Sequence, residues 1–459
     1  VLVPQPSGKP VASRGYGGAE SFAPTQNAAA TVPDWASAAL SSLNVPQSSI
    51  NPVLTVLPNG LHLIVQQETI TPTVTVVGGV KSNPDLETPQ GKEGVSDVLD
   101  ALFSFGTTSL DRVAFARALD DIAATENAGD SFSLTVLSPD FDRGIQLLAD
   151  NELHPALPPT NFNIVRSQIA YELRGEMQTP DYLTNRALEN ALYPKGDPTQ
   201  REATPDTVTA LSLDDVKAYF QTVFRPDLTT IVIIGDVTPD QAQASVAKWF
   251  GAWTATGPAP TTELPSVPDN SPSAVNVPNA ASVQDSVTLA ETVDISRNDP
   301  DYYAMVVGDH VLGGGFYATR LYRDIRQQAG LAYTVSNDLN VGKLRSLYSV
   351  SYGCDPQNVG KVKDIVVRDL KDMQTAPVSA NELLLAKALL LHEIPLRESS
   401  EDSIADGLLE RTIAGLPLND LELSAQKYVT VTAAQVQAAF AKWIRPDGFA
   451  QITQGPPPQ

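Results

Sequence analysis

Two polar residues seven positions apart, Arg326 and Tyr333, carry hydrogen-bond donors that could act together. A guanidinium brings fixed charge and several N–H donors, and a phenol O–H can donate to a developing oxyanion. Both lie in VLGGGFYATRLYRDIRQQAGLAYTV, residues 311–335. The glycine run Gly313 to Gly315 opens an amphipathic helix, Arg326 falls near its end, Gly330 stops it, and Leu331 to Val335 reads as a strand. The seven-residue step therefore joins the last turn of a helix to the start of a strand and can bring the two side chains to one place. A plainer reading competes with this one. Arginine near a helix C-terminus complements the dipole, and Leu331, Tyr333 and Val335 would share one face of the strand, a core pattern.

Other chemistry finds less support. The four histidines, His62, His154, His310 and His392, are scattered, and no two form a short metal motif. No G-x-S-x-G occurs, so a serine nucleophile elbow is absent. The glycine run is not followed by Gly-Lys-Ser/Thr and is no phosphate loop. The one cysteine, Cys354, has no histidine nearby in sequence and reads as a small buried apolar residue.

The elements that must position these residues are those of an ordinary globular chain of 459 residues, 42% hydrophobic and 18% charged. A formal charge of −22 argues against nucleic acid and anionic membrane as partners. No run approaches the roughly 20 apolar residues of a membrane span. Residues 1–50, rich in Pro, Ser, Ala and Gly, read as an extended N-terminal arm that could wrap a partner. LTVLPNGLHLIVQQE reads as a hairpin turning at Pro58-Asn59-Gly60, and Gly78-Gly79 as a bulge or a close backbone approach. Helices are predicted at 94–105, 110–124, about 140–152, 160–178, 181–193, 211–224 and 239–253, with strands at SFSLTVL and TTIVIIGD. Residues 254–279 hold six prolines and read as a linker.

Beyond the linker the pattern repeats. Val216 matches Val436, Phe220 matches Phe440, and Arg225-Pro226-Asp227 matches Arg445-Pro446-Asp447, at a constant offset of 220. Glu172 falls opposite Glu393 at an offset of 221. This predicts an α+β chain of two homologous α/β-sandwich halves, residues 51–253 and 280–455. Each half is an antiparallel-rich sheet covered by helices, and together they form a two-jawed shell with a cleft between them.

The order of hairpin, helix with F-x-x-G-T, helical stretch and RPD-strand-GD, together with LGGGFYATRLYRDIRQQAGLAY, resembles the pitrilysin/insulinase-like metallopeptidases. The resemblance spans about residues 52 to 455. Zinc-bearing members carry H-x-x-E-H on a first-half helix and a distal glutamate on a later one. On the matching helix, GVSDVLDALFSFGT, the two His positions hold Asp97 and Ala101 and the Glu position holds Asp100; Glu172 takes the distal place. Ala101 offers no ligand, and three carboxylates fall short of the six to eight oxygens that calcium takes.

The resemblance also implies that the second half supplies Arg326 and Tyr333 to hold the substrate backbone and polarise the scissile carbonyl. With the zinc motif emptied, it implies a zinc-less subunit acting in trans on a homologous zinc-binding peptidase subunit. That subunit would be expected to be inactive alone and to hold no cofactor itself, with a peptide bound between the two. Gly313, Gly314, Gly315 and Phe316 would line the substrate path. The alternatives are a non-catalytic structural or assembly subunit and a stand-alone peptide-binding homologue. The Pro/Ser-rich lead-in and the missing initial Met fit an exported, periplasmic protein, and fit a trimmed chain equally.

Overall fold

A computed structural model describes residues 43–314 and 319–456. In the first half, β1 (Val53–Val56) and β2 (His62–Gln67) form the expected hairpin, with Gly60 at φ +94° in its turn. After β3 (Thr73–Val80) come α1 (Val95–Leu102) and α2 (Arg112–Asp120), then β4 (Thr125–Asn127) and β5 (Ser131–Leu137). Helices α3 (Phe141–Leu153), α4 (Pro159–Glu176), α5 (Pro180–Leu192) and α6 (Leu213–Val223) lead to β6 (Thr229–Gly235) and α7 (Pro239–Phe250). The glycine pair Gly78-Gly79 marks close approach rather than a bulge. The β3–β5 register is continuous through it, and a Cβ on Gly78 would collide with the ring of Phe132.

The second half runs β7 (Ser273–Pro278), β8 (Asp285–Val293), α8 (Tyr302–Asp309), β9 (Ala332–Val341), β10 (Ser346–Cys354), α9 (Val359–Thr375), α10 (Ala380–Arg397), α11 (Glu401–Ile413), α12 (Asp420–Thr430), α13 (Ala433–Trp443) and β11 (Ala450–Gly455). Strand β7 occupies the end of the proline-rich stretch expected to be linker, because its extended backbone finds a parallel partner in β11.

The duplication is explicit in the sheets. The first is ordered β1-β2-β6-β3-β5-β4 and the second β7-β11-β8-β10-β9. Setting β1 aside, the two share one topology, with a single parallel pair at the same place in each (β2 with β6, β7 with β11). Even the helix starts repeat. A Ser212–Asp215 capping box opens α6, and a Thr432–Gln435 box opens α13. The chain is thus an α+β molecule of two equivalent lobes.

The lobes exchange helices. Ile231 and Ile233 of β6 face the first lobe's own core, with Phe132, Ile145 and Phe250. Val232 and Ile234, on the opposite face of the same strand, pack with Ile64 against Ile404, Ala405 and Leu408 of α11, a second-lobe helix. The equivalent first-lobe helix, α5, lays Leu188, Ala191 and Leu192 on Ala290 and Ala450 of the second sheet. A strand covered on both faces needs a continuous apolar run, which TTIVIIG provides. Each fully buried aliphatic side chain contributes about 1.5–3 kcal/mol, so these seams are a substantial part of what holds the chain together.

Of the expected N-terminal arm, residues 1–42 lie outside the described residues. The rest runs over its own second lobe. Leu43 and Val45 pack on Leu391, Ile394 and Ala425, and Ser48 Oγ donates to Glu398 at 2.8 Å.

Candidate functional site

Strand β9 is the outer strand of the second sheet, and Tyr333 is its second residue. Along β10, Cys354 pairs with Ala332 but Gly353 pairs with Thr334, so Tyr333 is the extra residue of a β-bulge. A bulge breaks the alternation of a strand and re-aims side chains. Val335 beyond it packs on the core, whereas Tyr333 is 56% exposed. The core pattern drawn from Leu331, Tyr333 and Val335 therefore fails at Tyr333.

Arg326 sits in a π-helical segment, Tyr322–Gln328, ended by Gly330 at φ +61°. Its guanidinium carbon lies 4.9 Å from the ring centroid of Tyr333 and 5.0 Å from that of Tyr322. Both are cation–π distances. Among the described residues Arg326 makes no ion pair or side-chain hydrogen bond, although the chain carries 53 acidic residues.

The surrounding segment is held firmly. Leu321 and Ile325 are buried in the core. Arg320 grips Glu382 with two bonds of 2.7 and 3.0 Å, and Asp324 pairs with Arg323 and Arg368. Burial works to raise the Glu382 carboxyl, but Arg320 and the Ser379 amide and hydroxyl overrule it and hold it down to about 2.

Beneath this face, His310–Gly314 forms a second π-helical turn. Gly313 has an internal reason to be glycine, because a Cβ there would collide with Asn337 Oδ1. A Cβ on Gly314 would come within 2.9 Å of Asp309 Oδ2. Asn337 donates to the Asp309 carbonyl at 3.1 Å and to its carboxylate, and contacts the Tyr348 hydroxyl at 3.4 Å. Burial pushes Asp309 up to about 7 despite that donor. Gly315 and Phe316 lie outside the described residues.

Asp97 and Asp100 border an acidic pocket of about 160 Å³, lined also by Asp130, Tyr219 and Phe224 among others. Burial raises Asp97, with Asp130 and Glu176 adding to it; burial and the charges of Asp130 and Asp97 raise Asp100. Ala101 packs against the neighbouring core. Glu172 does not join them. It is exposed and accepts from Gln168 at 2.9 Å, while Glu176, one turn further along α4, is the glutamate whose charge reaches Asp97. Behind the pocket, Glu152 is fully buried, accepts the Gly129 N–H at 2.8 Å and is raised by burial; Glu126 is raised to about 7 for the same reason. Sequence reading missed Asp130, Glu126, Glu152 and Glu176. The one local signal that could have found them is the Gly129-Asp130 turn after β4, where a Cβ on Gly129 would meet Asp100.

Among the described residues no three His, Cys, Asp or Glu side chains form a group able to hold a metal ion. The residues present do not fit the zinc of active relatives, since one ligand position is an alanine and the distal one points elsewhere. His310 and His392 bond their own helices through Nδ1, to Val306 O at 3.0 Å and Ala388 O at 2.6 Å. His154 lines a separate pocket of about 360 Å³ with Arg143 and Trp249. Cys354 is buried in the second-lobe core, its thiol pushed up to about 11 by burial.

Residues 210–390 match the family described as the peptidase M16 inactive domain. That stretch is similar to an inactive M16 peptidase domain. The resemblance to the pitrilysin/insulinase-like metallopeptidases is borne out at that level. The chain is 27% identical over 337 residues to the non-peptidase homolog YmxG of Helicobacter pylori, covering 71% of this chain and 76% of that one. It is 21% identical over 353 residues to the uncharacterized zinc protease YmxG of Bacillus subtilis, covering 75% and 84%. Its fold matches the M16 inactive domain from Pseudomonas fluorescens with a TM-score of 0.77 at 22% identity, covering 89% and 98%. The periplasmic protease PqqL of Escherichia coli matches with a TM-score of 0.73 at 17% identity over 91% of this chain, which spans 48% of PqqL. No helix of the described residues is long and apolar enough to cross a membrane.

Proposed function

We propose that this M16 chain is the zinc-less subunit of a two-subunit zinc metallopeptidase. It supplies Arg326 and Tyr333 in trans to a homologous zinc-binding partner, for substrate backbone binding and stabilisation of the charge that develops on the scissile carbonyl. The observation that carries this reading is a contrast within one chain. The first lobe presents Asp97, Asp100 and Ala101 where metal ligands belong, while the second keeps Arg326 against Tyr333 on an exposed bulge. Chemistry of this kind needs donors fixed before the reaction, and the ion pairs around Arg320 and Asp324 supply that fixity. The outer edge of β9 can pair with an extended peptide, beside the turn that holds Gly313 and Gly314. An exported, periplasmic setting belongs to the same proposal, by analogy with PqqL. The test is peptide cleavage by the purified chain with and without a zinc-motif M16 homologue. Cleavage only in the mixture supports the reading, and metal-dependent cleavage by the lone chain overturns it.

The second reading, a non-catalytic assembly or peptide-binding subunit, is favoured by the relative named as a non-peptidase homolog. Unchanged activity of the mixture on Arg326→Ala and Tyr333→Phe would establish it instead.

A further inference from the structure

Tyr322 lies four residues before Arg326, one turn back on the same π-helical segment. Its ring takes the Arg326 guanidinium at 5.0 Å, nearly the distance at which Tyr333 takes it from β9. One cation is thus shared by two aromatic rings from two different elements. Neither ring contact consumes an N–H donor, because the attraction is between the cation and the ring quadrupole. A carboxylate partner would instead have claimed two of the five donors bidentately. Holding an arginine by rings rather than by acids leaves its in-plane edge able to donate to an incoming carbonyl or carboxylate.

Resting on the function proposed above, we infer that Tyr322 is a positioning residue. With Tyr333 it clamps the Arg326 guanidinium by its face, so that Arg326 presents its donor edge to the peptide backbone. The two rings differ in their duties. Tyr333 brings a hydroxyl to the substrate, whereas Tyr322 acts through its ring. Phenylalanine at 322 therefore preserves the effect and leucine does not, a pattern that distinguishes a ring face from a hydroxyl and from mere bulk. Freeing a long flexible side chain costs order rather than chemistry, so the loss falls on substrate binding.

The experiment has two arms. The first reads the ring-current shift of the Arg326 δ-protons by NMR in the chain alone, for wild type, Tyr322→Phe and Tyr322→Leu, with circular dichroism to verify folding. Tyr322→Phe keeps the upfield shift and Tyr322→Leu loses a large part of it; an unchanged shift in Tyr322→Leu overturns the inference. The second arm measures cleavage of a quenched-fluorescent peptide by the chain mixed with a zinc-motif M16 homologue. Tyr322→Leu raises KM about five- to twenty-fold with kcat nearly kept, whereas loss of folded protein would lower kcat at constant KM. If Arg326→Ala leaves cleavage unchanged, the proposed function fails while the NMR arm still judges the clamp. If Arg326→Ala cripples cleavage and Tyr322→Leu does not alter KM, only the role of Tyr322 fails.

Discussion

The Arg326 guanidinium carbon stands 4.9 Å from the ring centroid of Tyr333, seven residues and one β-bulge later in the chain. Each residue is supplied by a different element, and the bulge is what lets them meet.

Removing the Tyr333 hydroxyl should affect catalysis and leave the fold alone. In the mixture with a zinc-motif homologue, Tyr333→Phe is expected to lower kcat by about 10²-fold, the usual cost of one oxyanion donor. Its melting temperature should match wild type, because the side chain is more than half exposed. A kcat within twofold of wild type would show that the hydroxyl is idle.

Asp309 should imprint a pH dependence on stability. Its folded value near 7 stands above the unfolded value of about 4. Across that interval the folded chain retains a proton that the unfolded chain has released, so stability falls as pH rises from about 4 to about 7 and levels beyond. Asp309→Asn removes this slope, and by pH 8 the variant should have gained on the order of 2–4 kcal/mol relative to its pH 4 difference from wild type. Urea midpoints taken across the range test it; parallel curves for the two proteins contradict it.

The exchanged helices predict joint unfolding of the lobes. Leu408 is buried against first-lobe strands, and Leu408→Ala should cost about 2–5 kcal/mol. Calorimetry should show one transition that moves down as a whole. Two separating transitions would mean that the lobes are energetically independent. Residues 280–456 expressed alone should not fold, because the apolar face of α11 and the second-sheet surface under α5 would both be bare.

Rebuilding the metal motif offers a gain-of-function test. The triple substitution Asp97→His, Asp100→Glu and Ala101→His should confer zinc binding measurable by calorimetric titration, with none in wild type. Placing a larger side chain at Ala101 should cost about 1–3 kcal/mol of stability, since it packs on the core. Adding Glu176→Gln should weaken the new site more than Glu172→Gln, because Glu176 is the residue whose charge reaches this pocket. The opposite order would restore Glu172 to the distal role.

The duplication was legible in the sequence because it rests on residues that do a local job. The Arg-Pro-Asp turns and the helix starts at Ser212 and Thr432 act through neighbours two or three positions away, and local signals survive in one dimension. Even so, the two turns diverge. Arg225 closes on Asp227 at 2.6 Å, whereas Arg445 turns to the buried Glu291 at 3.1 Å. The bulge at Tyr333 was not legible, because it is fixed by the register of β10. Which sheet a helix covers was equally hidden, since the apolar stripe of α11 reads the same whether it faces its own lobe or the other. At the distal glutamate, Glu172 and Glu176 lie one turn apart on α4, and only the approach of α1 selects between them.

The crossed helices α5 and α11 bear on how the two lobes can move. Residues 254–272 join the lobes, but opening the lobes about them would strip a helix from each sheet at once. The two lobes are therefore built to stay together, and parting them is a step toward unfolding. Under the proposed two-subunit function, a peptide would then enter and leave between the subunits rather than between the lobes of this chain.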